Sequence, residues 1–358
     1  MKKWIVVILA LLAMAVIIPW YLIKKQPASA FTADSKIFII PTDSCTKELV
    51  LSRLVADSII RQPRLFDTWA NYKDYWQNIK PGRYKVTKEA TIASLVSMLK
   101  YGRQEPAMLV LRKLRQPQDF ARLVARYTEQ DSAQVMQFMA NADSLRSLGL
   151  DSTNWLGAVI PNTYQVLYTW GTRRVLQKLI DEANSWWAKE NRLDKAKARG
   201  LTREQVHTLA SIVEEETNKA EDRPKVASVY LNRLQRGMPL QADPTVRFAR
   251  KDFLSNRVLY EHLRFPSPYN TYLNTGLPPG PICTPQPASL QSVLDAPATD
   301  YIFFVAHPNL EGGSIFTTNL TDHNRYAREY QDSLRAWLKR KAERQKAAQD
   351  SLAKAAKP

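Results

Sequence analysis

The chain has 358 residues, 45% of them hydrophobic and 24% charged, with a formal net charge of +17. That length suffices for two domains and an anchor, and the apolar content excludes a disordered, solvating chain. The positive balance favours an acidic partner (nucleic acid, anionic lipid or an acidic polymer), yet there is no Gly-rich phosphate loop, zinc-finger spacing, RNA-binding aromatic motif or solenoid repeat. Cys45 and Cys283 lie far apart without metal-type spacing. They read as packed thiols, with one disulfide left open outside the cytoplasm. No metal site and no cofactor are expected.

Trp4 to Ile23 is an uncharged apolar run. As a helix rising 1.5 Å per residue it covers about 30 Å, the thickness of a bilayer's hydrocarbon core. Lys2 and Lys3 precede it and Lys24 and Lys25 follow it, so the lysine counts tie and do not orient it. A cleaved signal peptide is the rival, because Ala28-Ser29-Ala30 fits a small-x-small cleavage site. The run is longer than a typical signal core, and two lysines separate it from that site, which favours an uncleaved anchor. No lipobox-like cysteine follows it.

Beyond the anchor (1–25), residues 26–35 read as a polar linker. Then come a strand over Ile37 to Ile40, a helix capped by Thr46 and running to about Val55, a helix over Arg64 to Tyr72, and a strand over Arg83 to Val86. This strand-helix-helix-strand order predicts a small α+β module over 36–105, compatible with a carbohydrate-binding unit of the LysM type. A mixed α+β domain follows over 106–330. A helix near Thr91 to Tyr101 ends the module; this next domain opens with a strand near Met108 to Arg112, is mainly helical from 117 to 200, and closes on a β-hairpin of Tyr301 to Ala306 with Ser314 to Asn319 around Gly312-Gly313. Trp186-Trp187 reads as core packing. A charged helical tail occupies 331–358 and reads as a solvated face.

The chemistry concentrates after residue 200. Thr202 with Gln205 makes a capping box, so a helix starts there and runs to about Glu216, with Val206, Leu209, Ile212 and Val213 on one face. On that wheel Glu214 and Glu215 fall about 140° and about 120° from Leu209 on opposite sides, facing outward, whereas Glu216 lies within about 20° of the apolar stripe. A carboxyl group there loses hydration, its pKa rises, and it becomes usable as a general acid near neutrality. The rival is a helix end that turns Glu216 to solvent or pairs it with Arg223 or Arg233. A second helix follows, with Pro224 at its start, an apolar side of Val226, Val229, Tyr230 and Leu234, and Gly237 at its end. The Pro-rich stretches Leu240 to Val246 and Ser267 to Pro285 are dense in groups suited to hydrogen-bonding and stacking on sugar. The triplet Asp322-His323-Asn324 stands at the edge of the last helix.

The segments LASIVEEET, VYLNRLQRGMPLQADPTV, SPYNTYLNTGLPPGPI and FTTNLTDHN, in this order, resemble the endolytic murein transglycosylases, the YceG-like proteins. The resemblance runs from the anchor to about Ala327. It departs from the family at Pro161 to Tyr164, where Asn162 replaces the usual Asp, and at RKLRQPQDF, where a Glu-Gly-rich turn is usual. It implies a single-pass protein of the cytoplasmic membrane with its catalytic domain on the periplasmic side, a LysM-like module, and peptidoglycan strands as substrate. Nascent-strand synthases are implied as partners, and nucleic acid is not. It also implies that Glu216, directly before the threonine of E-x-E-T, is the catalytic acid/base, and that cleavage between N-acetylmuramic acid and N-acetylglucosamine leaves a 1,6-anhydro end. Gln241, Asp243, Thr245, Tyr269, Asn270, Tyr272 and His323 are then the candidates for holding substrate. Two rival readings stay open: a hydrolase using a second carboxylate, with Asp243 nearest by motif, and a non-catalytic wall-binding protein.

Overall fold

The computed structural model describes residues 2–255 and 258–355, which form two compact units. The first holds the chain up to Val110 together with Phe120–Phe138 and Thr163–Leu176; the second holds Leu111–Asp119, Met139–Asn162 and the chain from Gln177. A single cut near residue 106 therefore does not separate them. The order of elements is mixed α+β, as expected.

The first unit opens with α1 (Lys2–Lys24), the one described helix long and apolar enough to cross a membrane. Strand β1 (Ser35–Ile40) pairs antiparallel with β2 (Gly82–Thr87), and between them lie α2 (Lys47–Ala56) and α3 (Pro63–Tyr72). Thr46 caps α2 by accepting from Leu49 N, as the sequence predicted. Phe38 faces Tyr84 across the sheet, and both are buried with Leu54, Phe66 and Leu95. Helix α4 (Ile92–Tyr101) covers this core, capped by Thr91 and stopped by Gly102 in the left-handed region (φ 64°). The unit also contains β3 (Ala107–Val110), paired antiparallel with β4 (Thr163–Val166), and most of α6 (Ser132–Ala140), whose last two residues belong to the second unit. Helix α5 (Pro117–Tyr127) begins among residues of the second unit and ends in the first. Strand β4 lies in the stretch read as mainly helical; its alternation (exposed Thr163, buried Tyr164, exposed Gln165, buried Val166) is only one period longer than a turn and was hidden among aromatics.

The stretch expected to be a linker is folded into the first unit. Ala28 N donates to Ala90 O, Ser29 Oγ to Lys88 O at 2.7 Å, and Arg61 N to Ala28 O. Ile23, in the last turn of α1, is 6% exposed and shares the core of Phe66, Ala70 and Ile92. A polar composition gave no hint of this, because the backbone rather than the side chains makes most of the bonds. Both cysteines are free: the Cys45 thiol donates to Pro41 O, and Cys283 is buried beside Ser211 O.

The second unit is built around one wrapped helix. After α7 (Ala142–Arg146), α8 (Thr172–Trp187, entering from the first unit) and α9 (Arg192–Ala198) comes α10 (Arg203–Glu216). Its capping box is present on both sides, Thr202 Oγ1 accepting from Gln205 N at 3.2 Å and Gln205 Oε1 from Thr202 N at 2.8 Å. Helices α9, α11 (Arg223–Gln235), α12 (Asp243–Ala249) and α13 (Pro287–Leu294) all contact it. The antiparallel hairpin β5 (Phe303–Ala306) and β6 (Ser314–Thr317) and the long α14 (Leu320–Ala355) complete the unit. Trp187 is buried and donates Nε1–H to His207 Nε2, consistent with its reading as packing. Burial drives the His207 imidazole down to about 3, so this partner is neutral.

The Pro278-Pro279-Gly280-Pro281 loop is stitched to α10 through Ile282 N and Ser211 Oγ (2.9 Å). A Cβ on Gly280 would stand 2.2 Å from the backbone oxygen of Thr153. Gly280→Ala should therefore cost about 1–3 kcal/mol, read as a lower melting temperature with the parental fold retained by circular dichroism.

Candidate active site

Helix α10 ends on three glutamates in three environments. Glu214 is 6% exposed; it accepts from Ser289 Oγ and Gln286 N and lies 3.5 Å from Lys113 Nζ. Glu215 takes a two-toothed pair of bonds from Arg115 (3.1 and 2.9 Å) and lies 3.1 Å from Lys113. Burial pushes the Glu215 carboxyl up, but the Arg115 hydrogen bond and the two cations outweigh it and leave it below the usual range. The expectation that these two glutamates face outward is thus corrected. The wheel located the apolar stripe, but a helix packed on all sides has no wet face, so its polar side chains must find partners inside the unit.

Glu216 is half-buried, and among the described residues no cation is paired to it. Its Oε1 accepts from Tyr230 Oη at 2.6 Å. Loss of hydration raises its pKa from 4.5 to about 7; the Tyr230 bond and Arg233 pull it down, and the negative charges of Asp243 and Glu215 push it up. The carboxyl therefore holds its proton into the neutral range. The helix ends at Thr217, whose backbone is extended (φ −143°).

Glu216 stands in the wall of a cleft of about 380 Å³. Tyr230 and Arg233, one turn apart on α11, line the same side. Arg233 is 8% exposed and braces the walls: Nε donates to Ile302 O (2.7 Å) and Nη1 to Leu240 O (2.8 Å), while the guanidinium lies over Phe303. Phe303 and Phe304 from β5 supply an apolar wall, and Tyr230 meets Phe304 edge-on at 5.9 Å. From α14, His323 stacks on Phe303 (5.1 Å, 24°), and its Nδ1 is shielded from solvent and, among the described residues, has no hydrogen-bond partner. Burial, and then the charge of Arg233, lower the His323 pKa and favour neutral imidazole.

Four of the seven expected substrate residues, Gln241, Asp243, Tyr272 and His323, line this cleft with Glu216. Gln241 sits at φ +50°, a left-handed conformation that a glutamine adopts only under local constraint, with its N–H bonded to Thr271 O. Tyr272 Oη donates to Asp243 Oδ1 at 2.6 Å; burial and that bond drive its phenol well up. The other three are placed differently. Thr245 is fully buried, its hydroxyl bonded to Ala242 O and Thr271 Oγ1. Asn270 is fully buried and donates both Nδ2 hydrogens to Leu263 O and Phe265 O. Tyr269 packs on Phe248 at 4.8 Å. Thr245 and Asn270 are spent on backbone carbonyls that need partners, and Tyr269 is spent on aromatic packing. Sequence reasoning missed Tyr230 and Arg233 as site residues. Tyr230 was assigned to the apolar side of α11, and its three-residue spacing from Arg233 was the signal that both face one place.

The proton on Glu216 has a stability consequence. Between pH 4.5 and about 7 the unfolded chain releases this proton while the folded chain keeps it, so the stabilisation is complete below 4.5 and lost as pH rises through 7. Glu216→Gln should match the parent at pH 4 and exceed it by about 2 kcal/mol at pH 8, measured by denaturant titration at the two pH values. Tyr230→Phe removes a bond that favours the carboxylate and should shift the Glu216 titration upward in carbon-13 NMR.

The model of the YceG-like family matches residues 38–329. Among curated proteins, the endolytic murein transglycosylase of Bacillus subtilis (strain 168) is 29% identical over 329 residues, covering 87% of this chain and 89% of that protein. The endolytic murein transglycosylase of Streptococcus pneumoniae (strain ATCC BAA-255 / R6) is 29% identical over 336 residues; the match spans 84% of this chain and 60% of the longer pneumococcal protein. Among solved structures, the 2.6 Å crystal structure of a yceG-like protein, lmo1499, from Listeria monocytogenes aligns with a TM-score of 0.55 and 26% identity, over 82% of this chain and 99% of that one.

Proposed function

The chain belongs to the YceG-like family, and from that and the Glu216 cleft we propose that it is an endolytic lytic transglycosylase that cuts the glycan strands of peptidoglycan. The observation that carries the reading is a half-buried carboxyl, raised to about 7 and held by Tyr230, in an aromatic-walled cleft. In this reading the Glu216 carboxyl donates its proton to the oxygen joining N-acetylmuramic acid to N-acetylglucosamine. As the C1–O bond breaks, the muramyl C6 oxygen bonds to C1, and its proton returns to the Glu216 carboxylate. The glucosamine leaves with a hydroxyl, and the muramyl end closes as a 1,6-anhydro ring without water. Gln241, Asp243, Tyr272 and His323 hold the sugar, with the shielded Nδ1 of His323 ready to accept from a donor on it. Thr245, Tyr269 and Asn270 serve the site through the loops they fix.

In the same reading α1 is an uncleaved single-pass anchor of the cytoplasmic membrane with the remainder outside. Ile23 in the core and the bonds of Ala28 and Ser29 support this, because cleavage at Ala30 would pull both from the first unit. The β1-α2-α3-β2 module acts as a LysM-like wall-binding unit, catalysis belongs to the second unit, and synthases supplying nascent strands are the natural partners.

Glu216→Gln should lower formation of anhydromuramyl products from purified glycan strands by about 10²–10⁴-fold. Parental-rate product formation by that variant defeats the assignment. The parental kcat/KM should be flat below pH 7 and fall about tenfold per unit above it, because the acid loses its proton.

One observation favours a second reading: Asp243 shares the cleft and is held by Tyr272, as a second carboxylate of a hydrolase would be. Under the first reading Asp243→Asn leaves the products as anhydromuramyl ends with a modest loss of rate. Reducing muramyl ends in the parental digest, abolished by Asp243→Asn, would instead establish the hydrolase.

A further inference from the structure

Helix α3 touches the exit of α1 at both its ends. Arg61 and Gln62, just before it, share a small recess with Leu22, Gln26 and Ala28. Trp69, about 10 Å further along the helix, has the Lys24 ammonium over its ring at 5.2 Å. Both points therefore meet residues at and just beyond the end of α1. Because Ile23 is built into the core of the module, this arrangement is fixed rather than tethered.

The side chains gathered there suit a lipid surface. Trp69 and Tyr72 pack in a tilted pair at 5.1 Å (37°), and the Lys73 ammonium sits over both rings, 5.1 and 4.7 Å from their centroids. Tyr72 is 69% exposed, and Lys24, Lys25, Arg64 and Lys73 are all exposed. Among the described residues none of those four cations has a carboxylate partner, whereas Asp67, on the same helix, is taken up by Lys47 and Trp76 Nε1. Trp and Tyr settle at the level of the headgroups, and clustered Lys and Arg beside a membrane helix attract anionic lipid. The headgroup layer on each side is about 5–8 Å thick. A ring in contact with Lys24, the first charge after the apolar run, falls within it.

We infer that α3 is an interfacial helix lying in the headgroup layer of the membrane that α1 spans, with Trp69 and Tyr72 as aromatic anchors and Lys24, Lys25, Arg64 and Lys73 gripping anionic phospholipid. The inference rests on the reading of α1 as an anchor. It makes the small module a membrane-seated body and assigns its α3 face to lipid.

The test uses the full chain in nanodiscs of phosphatidylcholine with or without phosphatidylglycerol, carrying photoreactive benzoylphenylalanine in place of Tyr72 or, as a control outside this face, of Met108, which is 50% exposed. Irradiation should give lipid adducts, read by mass, at position 72 and not at 108. Phosphatidylglycerol should raise the yield, and Arg64→Gln and Lys73→Gln should each lower it about fivefold in those discs. A chain that stays in the disc through carbonate washing but gives no adduct at 72 overturns this inference and leaves the anchor intact. A chain washed out of the disc overturns the anchor and this inference together. Equal yields at 72 and 108, or a yield indifferent to both substitutions, also overturn it.

Discussion

A carboxyl group at the end of a helix normally has two comforts, water and a nearby cation, and Glu216 has little of either. The helix that carries it is enclosed by four others, so its last turn emerges into a cleft rather than into bulk solvent. The cations that might have served it, Lys113 and Arg115, are already committed to Glu214 and Glu215. Among the described residues Tyr230 is its hydrogen-bond donor, and a neutral donor does not compensate for lost hydration as a charged one would. The proton retained near neutrality is the sum of these facts, and the aromatic wall, the bracing arginine and the strained glutamine are arranged around it.

That arrangement separates structural from chemical acidity within three residues. Glu214 and Glu215 fasten α10 to Lys113, Arg115 and α13. In the proposed mechanism Glu216 can act only if it is not fastened in this way. A salt bridge to it would give firmer local geometry and an acid too weakly protonated to donate.

Much of this was legible in the sequence, and the omissions have physical causes. Short-range signals held where they were local: the Thr202 capping box, the Thr46 cap, the hairpin around Gly312-Gly313 and the apolar face from Val206 to Val213 all form as read. What failed depended on surroundings no spacing encodes. The wheel assumed that α10 had a wet side. The Leu240 to Val246 stretch was read as Pro-rich loop, yet Pro244 opens α12, since a proline suits a helix's first turn as well as a loop. Thr245 and Asn270 have the right chemistry for sugar but are used up by the loops that hold them. Tyr230 looked apolar because its ring is; its hydroxyl, the part that matters, became visible only when Glu216 was placed 2.6 Å away.

The burial of Ile23 beside Phe66 and Ile92 leaves no hinge between α1 and the module that follows. A membrane-crossing helix answers a thicker or thinner bilayer by changing its tilt. With a free linker that adjustment would stop at the surface. If α1 is the anchor proposed above, it is transmitted here, so a change in acyl-chain length would lean the strand-helix-helix-strand body over, making it a lever that responds to the bilayer's thickness.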